Sequence, residues 1–257
     1  MADMALLVHV HLPMRLARHL VLKPHSYFHM MWRAHNREYI MQSHSEKLRY
    51  LRAVRDDYMK KCKKEQFELH GYTIMSNHAH LNGQTNDDYK HYSEHMRRAH
   101  SRFGYSYNRR HHRLGAVAHD RPTIKASQEE AYSIQVMLYD HFNPVRAHLI
   151  PHPTHVKWKL FSSARYMAYG EENEFTCMVT LPGWYLKLGK NPEQRQRKYR
   201  QMLDRFQVDE GSKPDPKKTR GNFIGGDLWV EAMRNSVREW LRKKKKGSSD
   251  DEPPDTS

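Results

Sequence analysis

Two short strand-like segments, separated by a two-residue turn, constrain the fold of this chain more than any other feature of its sequence. Residues 67–75 read FELHGYTIM and residues 78–83 read HAHLNG, and both have the length and pattern of β-strands. Ser76 and Asn77 between them are residues that favour turns. We therefore expect a β-hairpin, and with it an antiparallel element in the fold.

The segments on either side of the hairpin alternate between strand and helix patterns. Residues 26–34 are aromatic and apolar, which indicates a strand, and residues 117–125 form a weaker candidate that Pro122 interrupts. Helix patterns cover residues 45–61, 88–107 and 128–142. The last helix is predicted to end at Asn143-Pro144, because the residue before a proline disfavours the α region. The order β, α, β, β, α, β, α predicts an α+β fold, an antiparallel sheet with helices packed on one face.

The composition changes after Pro144, where a segment rich in proline and histidine predicts a connector that wraps the first domain. Two separate helix patterns follow it, and the chain ends in four lysines and SSDDEPPDTS. We expect an N-terminal arm at residues 1–25, a core domain at 26–170, a helical C-terminal extension at 171–242 and a disordered tail at 243–257.

The net charge indicates a polyanionic partner. The chain has 44 Lys and Arg against 29 Asp and Glu, a formal charge of +15 before any of its 20 histidines is protonated. The longest apolar run near the N-terminus, residues 5–8, is far too short for a membrane span or a signal peptide. Nucleic acid is therefore the expected partner, with no membrane association. The two cysteines, Cys62 and Cys177, form no CxxC pattern, which excludes a disulfide scaffold and a zinc ribbon and favours the cytoplasm.

His78 and His80 are the most informative residues of the chain. Side chains at i and i+2 of a strand point to the same side, so these two imidazoles can share one metal ion. Imidazole binds Mn, Zn, Fe or Cu, and Mg²⁺ can bind where phosphate oxygens complete the site. Taken alone the pattern is weak, because residues 9–11 are a second HxH. The chain has no HExxH and no PCxxC, which excludes the common metalloprotease and zinc-deaminase sites.

Tyr139 and Asn143 are four residues apart in the last predicted helix of the core, so their side chains are neighbours on one helix face. The Asn143 amide oxygen could complete a metal site begun by the two imidazoles. A metal-polarised phosphate would in turn be open to attack by the Tyr139 phenol. The alternative is that Tyr139 is a packing residue and that Asn143 only ends the helix.

A set of arginines around the second predicted helix suits nucleic-acid binding. Guanidinium groups bind phosphates in a bidentate manner, and interleaved tyrosines offer stacking faces for unpaired bases. The candidate DNA-binding residues are Arg97, Arg98, Arg102, Arg109, Arg110, Arg113 and Arg121. The alternative is a solvated helix face without a ligand.

Four segments together carry a family resemblance: GYTIMSNHAHL, NRRHHRLG, YDHFNPVRAHLI and KLFSSARYMAYG. In this order they resemble the HUH single-tyrosine transposases, and among them the branch associated with repetitive extragenic palindromes. The similarity covers about residues 26–170. Two departures stand out: the middle residue of the HxH is the small Ala79, and residues 118–122 read AHDRP where relatives have an aromatic-acidic-basic segment.

The resemblance implies a ferredoxin-like or RRM-like HUH core and a catalytic role for residues 26–170. It implies that His78 and His80 bind the metal, Mg²⁺ or Mn²⁺, with Asn143 as third ligand. It makes Tyr139 the nucleophile that cleaves hairpin-containing single-stranded DNA, leaving a 5′-phosphotyrosine and a free 3′-hydroxyl. In that branch the protein tends to act as a monomer.

Two other functions remain open from the sequence. A domesticated relative could bind structured nucleic acid without cutting it. A metal-dependent phosphodiesterase could use water in place of the tyrosine. The products distinguish them, because only the transposase-type reaction leaves DNA covalently linked to the protein.

Overall fold

The computed structural model describes residues 16–62, 65–118, 120–206 and 221–245. Most of the predicted N-terminal arm and of the predicted tail lies outside these ranges, as does the second HxH at residues 9–11. The described strands are β1 (Tyr27–Arg33), β2 (Phe67–Ile74), β3 (His78–Thr85), β4 (Thr123–Ser127) and β5 (Phe223–Ile224). The described α-helices are α1 (His44–Lys61), α2 (Tyr89–Arg110), α3 (Glu130–Arg146), α4 (Ala164–Tyr169), α5 (Gly183–Leu186), α6 (Pro192–Arg205) and α7 (Asp227–Lys245).

The described strands form one sheet in the order β2-β3-β1-β4-β5. The pairs β2–β3, β1–β3 and β1–β4 are antiparallel, and only the short β4–β5 pair is parallel. The predicted hairpin is present as β2 and β3, with the turn at residues 75–77. The α+β class and the antiparallel sheet are therefore confirmed. The β4 strand begins directly after Pro122, later than predicted, because a proline cannot donate a hydrogen bond inside a sheet.

The alternation of side chains in β1 separates the two faces of the sheet. Phe28, Met30 and Trp32 are buried on one face, where α1 and α2 cover them. Trp32 stacks on Tyr50 of α1 with ring centroids 5.2 Å apart, and Phe28 lies 4.2 Å from Tyr92 of α2. This aromatic packing forms part of the main core.

The opposite face of the sheet is covered by α3, so helices lie on both faces instead of the one face that was predicted. Gly71 of β2 makes the close approach possible, because a Cβ atom at this position would lie 2.5 Å from the Met137 sulfur. The α3 helix continues through Pro144, so the predicted end at Asn143 was wrong. A proline near the end of a helix removes only one late hydrogen bond, and Ala147 N–H still donates to the Asn143 carbonyl at 3.0 Å. Tyr139 and Asn143 consequently lie on one uninterrupted helix.

The C-terminal extension packs against α3 and holds it on the sheet. Buried His141 of α3 hydrogen-bonds to the Tyr199 hydroxyl of α6 at 2.7 Å and to the Ser163 hydroxyl at 3.0 Å. Trp184 and Tyr185 of α5 pack in the same cluster. The domain boundary at residue 170 stays a prediction. None of the described helices combines the length and the apolar character needed to cross a membrane.

Candidate metal centre and tyrosine site

The two histidines of the HxH motif lie side by side on the face of the sheet that α3 covers. The His78 and His80 ring centroids are 4.9 Å apart, and the rings are nearly perpendicular. Strand β1 brings two further residues to the same face, since Arg33 pairs with His78 and Met31 pairs with His80. His29, two residues before Met31, therefore lies on this face as well.

Asp140 of α3 reaches into this face and is fully buried. One carboxylate oxygen lies 3.1 Å from His80 Nδ1, and the other lies 3.3 Å from His29 Nε2 and accepts a hydrogen bond from Asn82 at 2.8 Å. Burial by itself would raise the pKa of Asp140, but His29 and His80 outweigh it, and Asn82 adds to their effect, so the pKa is lowered to about 2. The carboxylate is therefore ionised at neutral pH.

Asn143 lies against the other nitrogen of His80. Its side-chain nitrogen is 3.4 Å from His80 Nε2 and also 3.4 Å from the Asp140 carboxylate. The side chain is partly exposed, whereas His80 and Asp140 are buried beneath it. The carboxamide thus stands between the buried carboxylate and the open side of the site.

His78 presents a nitrogen lone pair to the site. Its Nδ1 lies 2.6 Å from the Asn77 side-chain oxygen, while the Asn77 amide nitrogen donates to the Arg37 carbonyl. Because that oxygen can only accept, His78 Nδ1 carries the hydrogen and Nε2 is left with its lone pair. Burial lowers the pKa of His78 to about 3 and that of His80 to about 4, so both imidazoles are neutral near pH 7.

Two groups of side chains could hold a divalent ion in this part of the chain. The inner group is His29 Nε2, His80 Nδ1 and the Asp140 carboxylate, whose atoms all lie within 4.8 Å of one another. The outer group is His78, His80 Nε2 and Asn143. In the inner group His80 and Asp140 are buried and only His29 is partly exposed, whereas in the outer group both His78 and Asn143 are partly exposed. An ion in the outer group is therefore the more accessible of the two to a DNA phosphate.

Tyr139 is half-buried on α3, one helical turn before Asn143. The Arg146 guanidinium lies over its ring, 4.6 Å from the centroid. Arg33 of β1 interacts electrostatically with the phenol and with both imidazoles of the HxH. The Arg33 Nε is buried and has no hydrogen-bond partner among the described residues. The tyrosine is thus flanked by two cationic side chains.

The candidate DNA-binding arginines lie elsewhere, and several of them hold carboxylates. Arg98 forms a two-pronged ion pair with buried Asp57, Arg110 pairs with Glu46 at 2.7 Å and Arg113 pairs with Glu38 at 3.0 Å. Arg121 donates to the Leu16 carbonyl. Exposed positions are occupied by Arg97, Arg102 and Arg109 on α2. Since α2 covers the other face of the sheet, this set is separated from the histidine face.

A cavity of about 670 Å³ lies on the α2 side of the sheet. Three arginines line it, Arg18, Arg97 and Arg121, together with the aromatic rings of Trp32 and Tyr89. Burial lowers the pKa of Arg18, and the charge of Arg121 lowers it further. The lining thus combines cationic and aromatic side chains, and two carboxylates, Glu94 and Asp120, also contribute to it.

Sequence reasoning missed His29, Asp140, Arg33 and Arg146. A weak signal existed for two of them. Asp140 is three residues before Asn143 and so shares a helix side with it, and His29 alternates with the apolar residues of β1. The other contacts depend on how α3 crosses the sheet, which local spacing does not reveal.

Comparisons with known proteins give limited information. No protein-family model matches the chain, and no curated protein does. A solved structure described as a REP-associated tyrosine transposase bound to a REP hairpin is similar at 15% sequence identity with a TM-score of 0.46. The match covers 61% of this chain and 90% of that chain. At this level of similarity the match assigns neither a family nor an activity.

Proposed function

We propose that the protein is a metal-dependent single-stranded DNA endonuclease and strand transferase, with a transposase-type activity on hairpin-containing DNA. One observation carries the proposal: the helix that presents Tyr139 also brings Asn143 to 3.4 Å from His80 Nε2. A carboxamide and two neutral imidazoles then border one partly exposed site, and Tyr139 lies one helical turn before the carboxamide on the same helix. The motif order GYxxMxNHxHL and YxxxNPVRA supports the same assignment.

In this proposal His78, His80 and Asn143 hold Mg²⁺ or Mn²⁺. The ion would polarise the scissile phosphodiester and stabilise its developing charge. A site of two neutral nitrogens and one amide oxygen fits such an ion, because phosphate and water oxygens can fill the remaining positions.

Tyr139 is the proposed nucleophile. Its hydroxyl oxygen forms a bond to phosphorus, the bond from phosphorus to the 3′-oxygen breaks, and the phenolic proton is balanced by the proton gained by the 3′-hydroxyl. The product is a 5′-phosphotyrosine, which conserves the energy of the phosphodiester and permits rejoining without ATP. Arg33 and Arg146 beside the phenol would bind the phosphate.

The exposed α2 arginines Arg97, Arg102 and Arg109, together with exposed Arg121, would bind the DNA away from the reacting bond. If these four arginines each neutralised one phosphate, the logarithm of the affinity for single strands would fall with a slope of about −3 against the logarithm of salt concentration. We further propose a monomer, because Tyr139, Asn143 and His80 come from one chain, and a cytoplasmic location, because Cys62 and Cys177 are both free.

A covalent-trapping experiment tests the proposal. The purified chain is incubated with Mn²⁺ and a labelled hairpin oligonucleotide, and protein-linked label is measured after denaturation. The adduct should be absent in Tyr139→Phe and present in Tyr132→Phe, a matched change two turns earlier on α3. An adduct that survives Tyr139→Phe would refute the nucleophile. Hairpin binding without cleavage in any divalent metal would support the non-cleaving binding protein, and cleavage without an adduct would support the water-dependent phosphodiesterase.

A further inference from the structure

The Asp140 carboxylate contacts two of the three proposed metal ligands, His80 of β3 and Asn143 of α3. Its Oδ1 lies 3.1 Å from His80 Nδ1 and 3.4 Å from the Asn143 amide nitrogen. Its Oδ2 accepts from Asn82 at 2.8 Å and lies 3.3 Å from His29 Nε2. All of these contacts are made inside the fold, since Asp140 is fully buried.

An ionised carboxylate can only accept hydrogen bonds, so it determines where its neighbours carry hydrogen. His80 Nδ1 lies 3.1 Å from Oδ1 and 2.9 Å from His29 Nε2, so the carboxylate and a second imidazole both face it. The Asn143 amide nitrogen can only donate and lies 3.4 Å from His80 Nε2, which indicates a lone pair on Nε2 and the hydrogen on Nδ1, directed toward Oδ1. The same amide nitrogen lies 3.4 Å from Oδ1, which turns the amide oxygen away from the carboxylate. The buried carboxylate is thus the acceptor that the imidazole and the carboxamide share.

We propose that Asp140 is a positioning residue that directs His80 Nε2 and the Asn143 amide oxygen toward one divalent cation shared with His78. This inference rests on the metal site of the proposed function and extends it to a residue that does not itself touch the ion or the DNA. Metal-bound histidines commonly donate their second N–H to a carboxylate, which fixes the ring and strengthens the ligand.

The neighbouring amide predicts what happens when the carboxylate is replaced. Asn82 donates to Oδ2, so in Asp140→Asn the introduced carboxamide should keep its oxygen toward Asn82 and turn its NH₂ group toward His80 and Asn143. The donor would then face His80 Nδ1 and select the Nε2-protonated tautomer, which cannot bind a cation through Nε2. A serine protease triad loses activity by the same tautomer error when its aspartate becomes asparagine.

The test measures the tautomer and the affinity for Mn²⁺ separately. Long-range proton–nitrogen NMR of the metal-free chain should show His80 protonated on Nδ1, and Asp140→Asn should show it protonated on Nε2. The affinity for Mn²⁺ alone should fall about 10- to 100-fold in Asp140→Asn. Asp57→Asn is the matched control, a fully buried aspartate that contacts His95, and it should change neither result.

Three outcomes would overturn the inference. The first is wild-type His80 protonated on Nε2, a measurement that needs no variant to fold. The second is an unchanged affinity for Mn²⁺ in folded Asp140→Asn. The third is loss of Mn²⁺ binding in His29→Asn but not in His78→Asn, which would make Asp140 a ligand of an ion in the inner group. If Mn²⁺ binding and the tautomer follow the expectation and no DNA adduct forms, the proposed function fails and the positioning role stands.

Discussion

Two buried aspartates on opposite faces of the sheet contact histidines but differ in their surroundings. On the α2 face, Asp57 receives a hydrogen bond from His95 at 2.8 Å and two more from Arg98 at 2.8 and 2.9 Å. On the α3 face, the ion-pair partners of Asp140 within the described ranges are two histidines, His29 and His80. The charge of a buried carboxylate that pairs with an arginine is balanced within the fold, whereas a buried carboxylate whose ion-pair partners are histidines is suited to orienting a site that receives a cation.

His95 and His80 each turn Nδ1 toward their aspartate, and the surroundings of the other ring nitrogen, Nε2, differ in the same way. His95 Nε2 is buried without a hydrogen-bond partner in the part of the chain that is described, and its ring packs against Tyr58 and Phe67. His80 Nε2 instead faces the Asn143 carboxamide at the partly exposed site. Asp57, Cys62 and His95 also have the spacing of a metal site, but the Arg98 fork occupies both oxygens of Asp57, which argues against a cation there.

The largest expected effect is on stability and comes from breaking the α2-face ion pair. Arg98→Met leaves the Asp57 carboxylate buried with His95 alone, and we expect the free energy of unfolding to fall by about 3 kcal/mol. Urea unfolding measures the loss. Arg97→Met is the matched control, because Arg97 is exposed and should change stability by less than about 0.5 kcal/mol. Equal effects of the two substitutions would contradict the structural role of the Asp57 pair.

A second prediction concerns the cation that the α3 face is suited to receive. Mn²⁺ at about 100 times its dissociation constant should raise the free energy of unfolding by about 2.7 kcal/mol, because it binds the folded chain. Thermal unfolding with Mn²⁺ and then with excess chelator measures this gain and its reversal. His80→Ala should abolish the gain, and Asp57→Asn should retain it. A gain of the same size in His80→Ala would place the ion elsewhere.

The features of this site that depend on residues close together in the sequence could be predicted. The hairpin, the i and i+2 spacing of His78 and His80, and the i and i+4 spacing of Tyr139 and Asn143 all depend on neighbours in the chain. The contact of Asp140 with His29 does not, because it requires α3 to cross the sheet over β1 and β3. That crossing depends on the close approach at Gly71 and on packing against the C-terminal extension.

The arginine set shows a different limit of sequence reasoning. The count of basic residues on α2 predicts a cationic surface, but it cannot show which of them are used inside the protein. Arg98 is held by Asp57 and Arg110 by Glu46, both of which lie on α1, far away in the sequence. Only the packing of α1 against α2 reveals these ion pairs. Local charge patterns therefore overestimate the surface that is available to DNA.

A third prediction uses pH to test the burial of one histidine on the α2 face. His100 lies beside the Trp32 ring and contacts the Tyr50 hydroxyl, and burial lowers its pKa to about 3. The unfolded chain binds this proton below pH 6.5, so the stability that His100 contributes is present above that pH and is lost as pH falls toward 3. We expect a loss of about 2 kcal/mol from this group between pH 7 and pH 5. His100→Gln should reduce the slope of the free energy of unfolding against pH between pH 7 and pH 5. An unchanged slope would contradict a lowered pKa of His100 in the folded chain.

The smallest expected effect on stability distinguishes exposed arginines from those held in ion pairs. Arg102 and Arg109 are exposed on α2, so replacing either with alanine should change the free energy of unfolding by less than about 0.5 kcal/mol. If they bind phosphates, each substitution should reduce the salt slope of single-stranded DNA binding by about 0.7. Arg98→Met should leave that slope unchanged, because both prongs of its guanidinium are occupied by Asp57. Binding titrations over a range of salt concentrations measure the slopes. A reduced slope for Arg98→Met but not for Arg102→Ala would contradict the prediction, because it would mean that Arg98 binds phosphate and Arg102 does not.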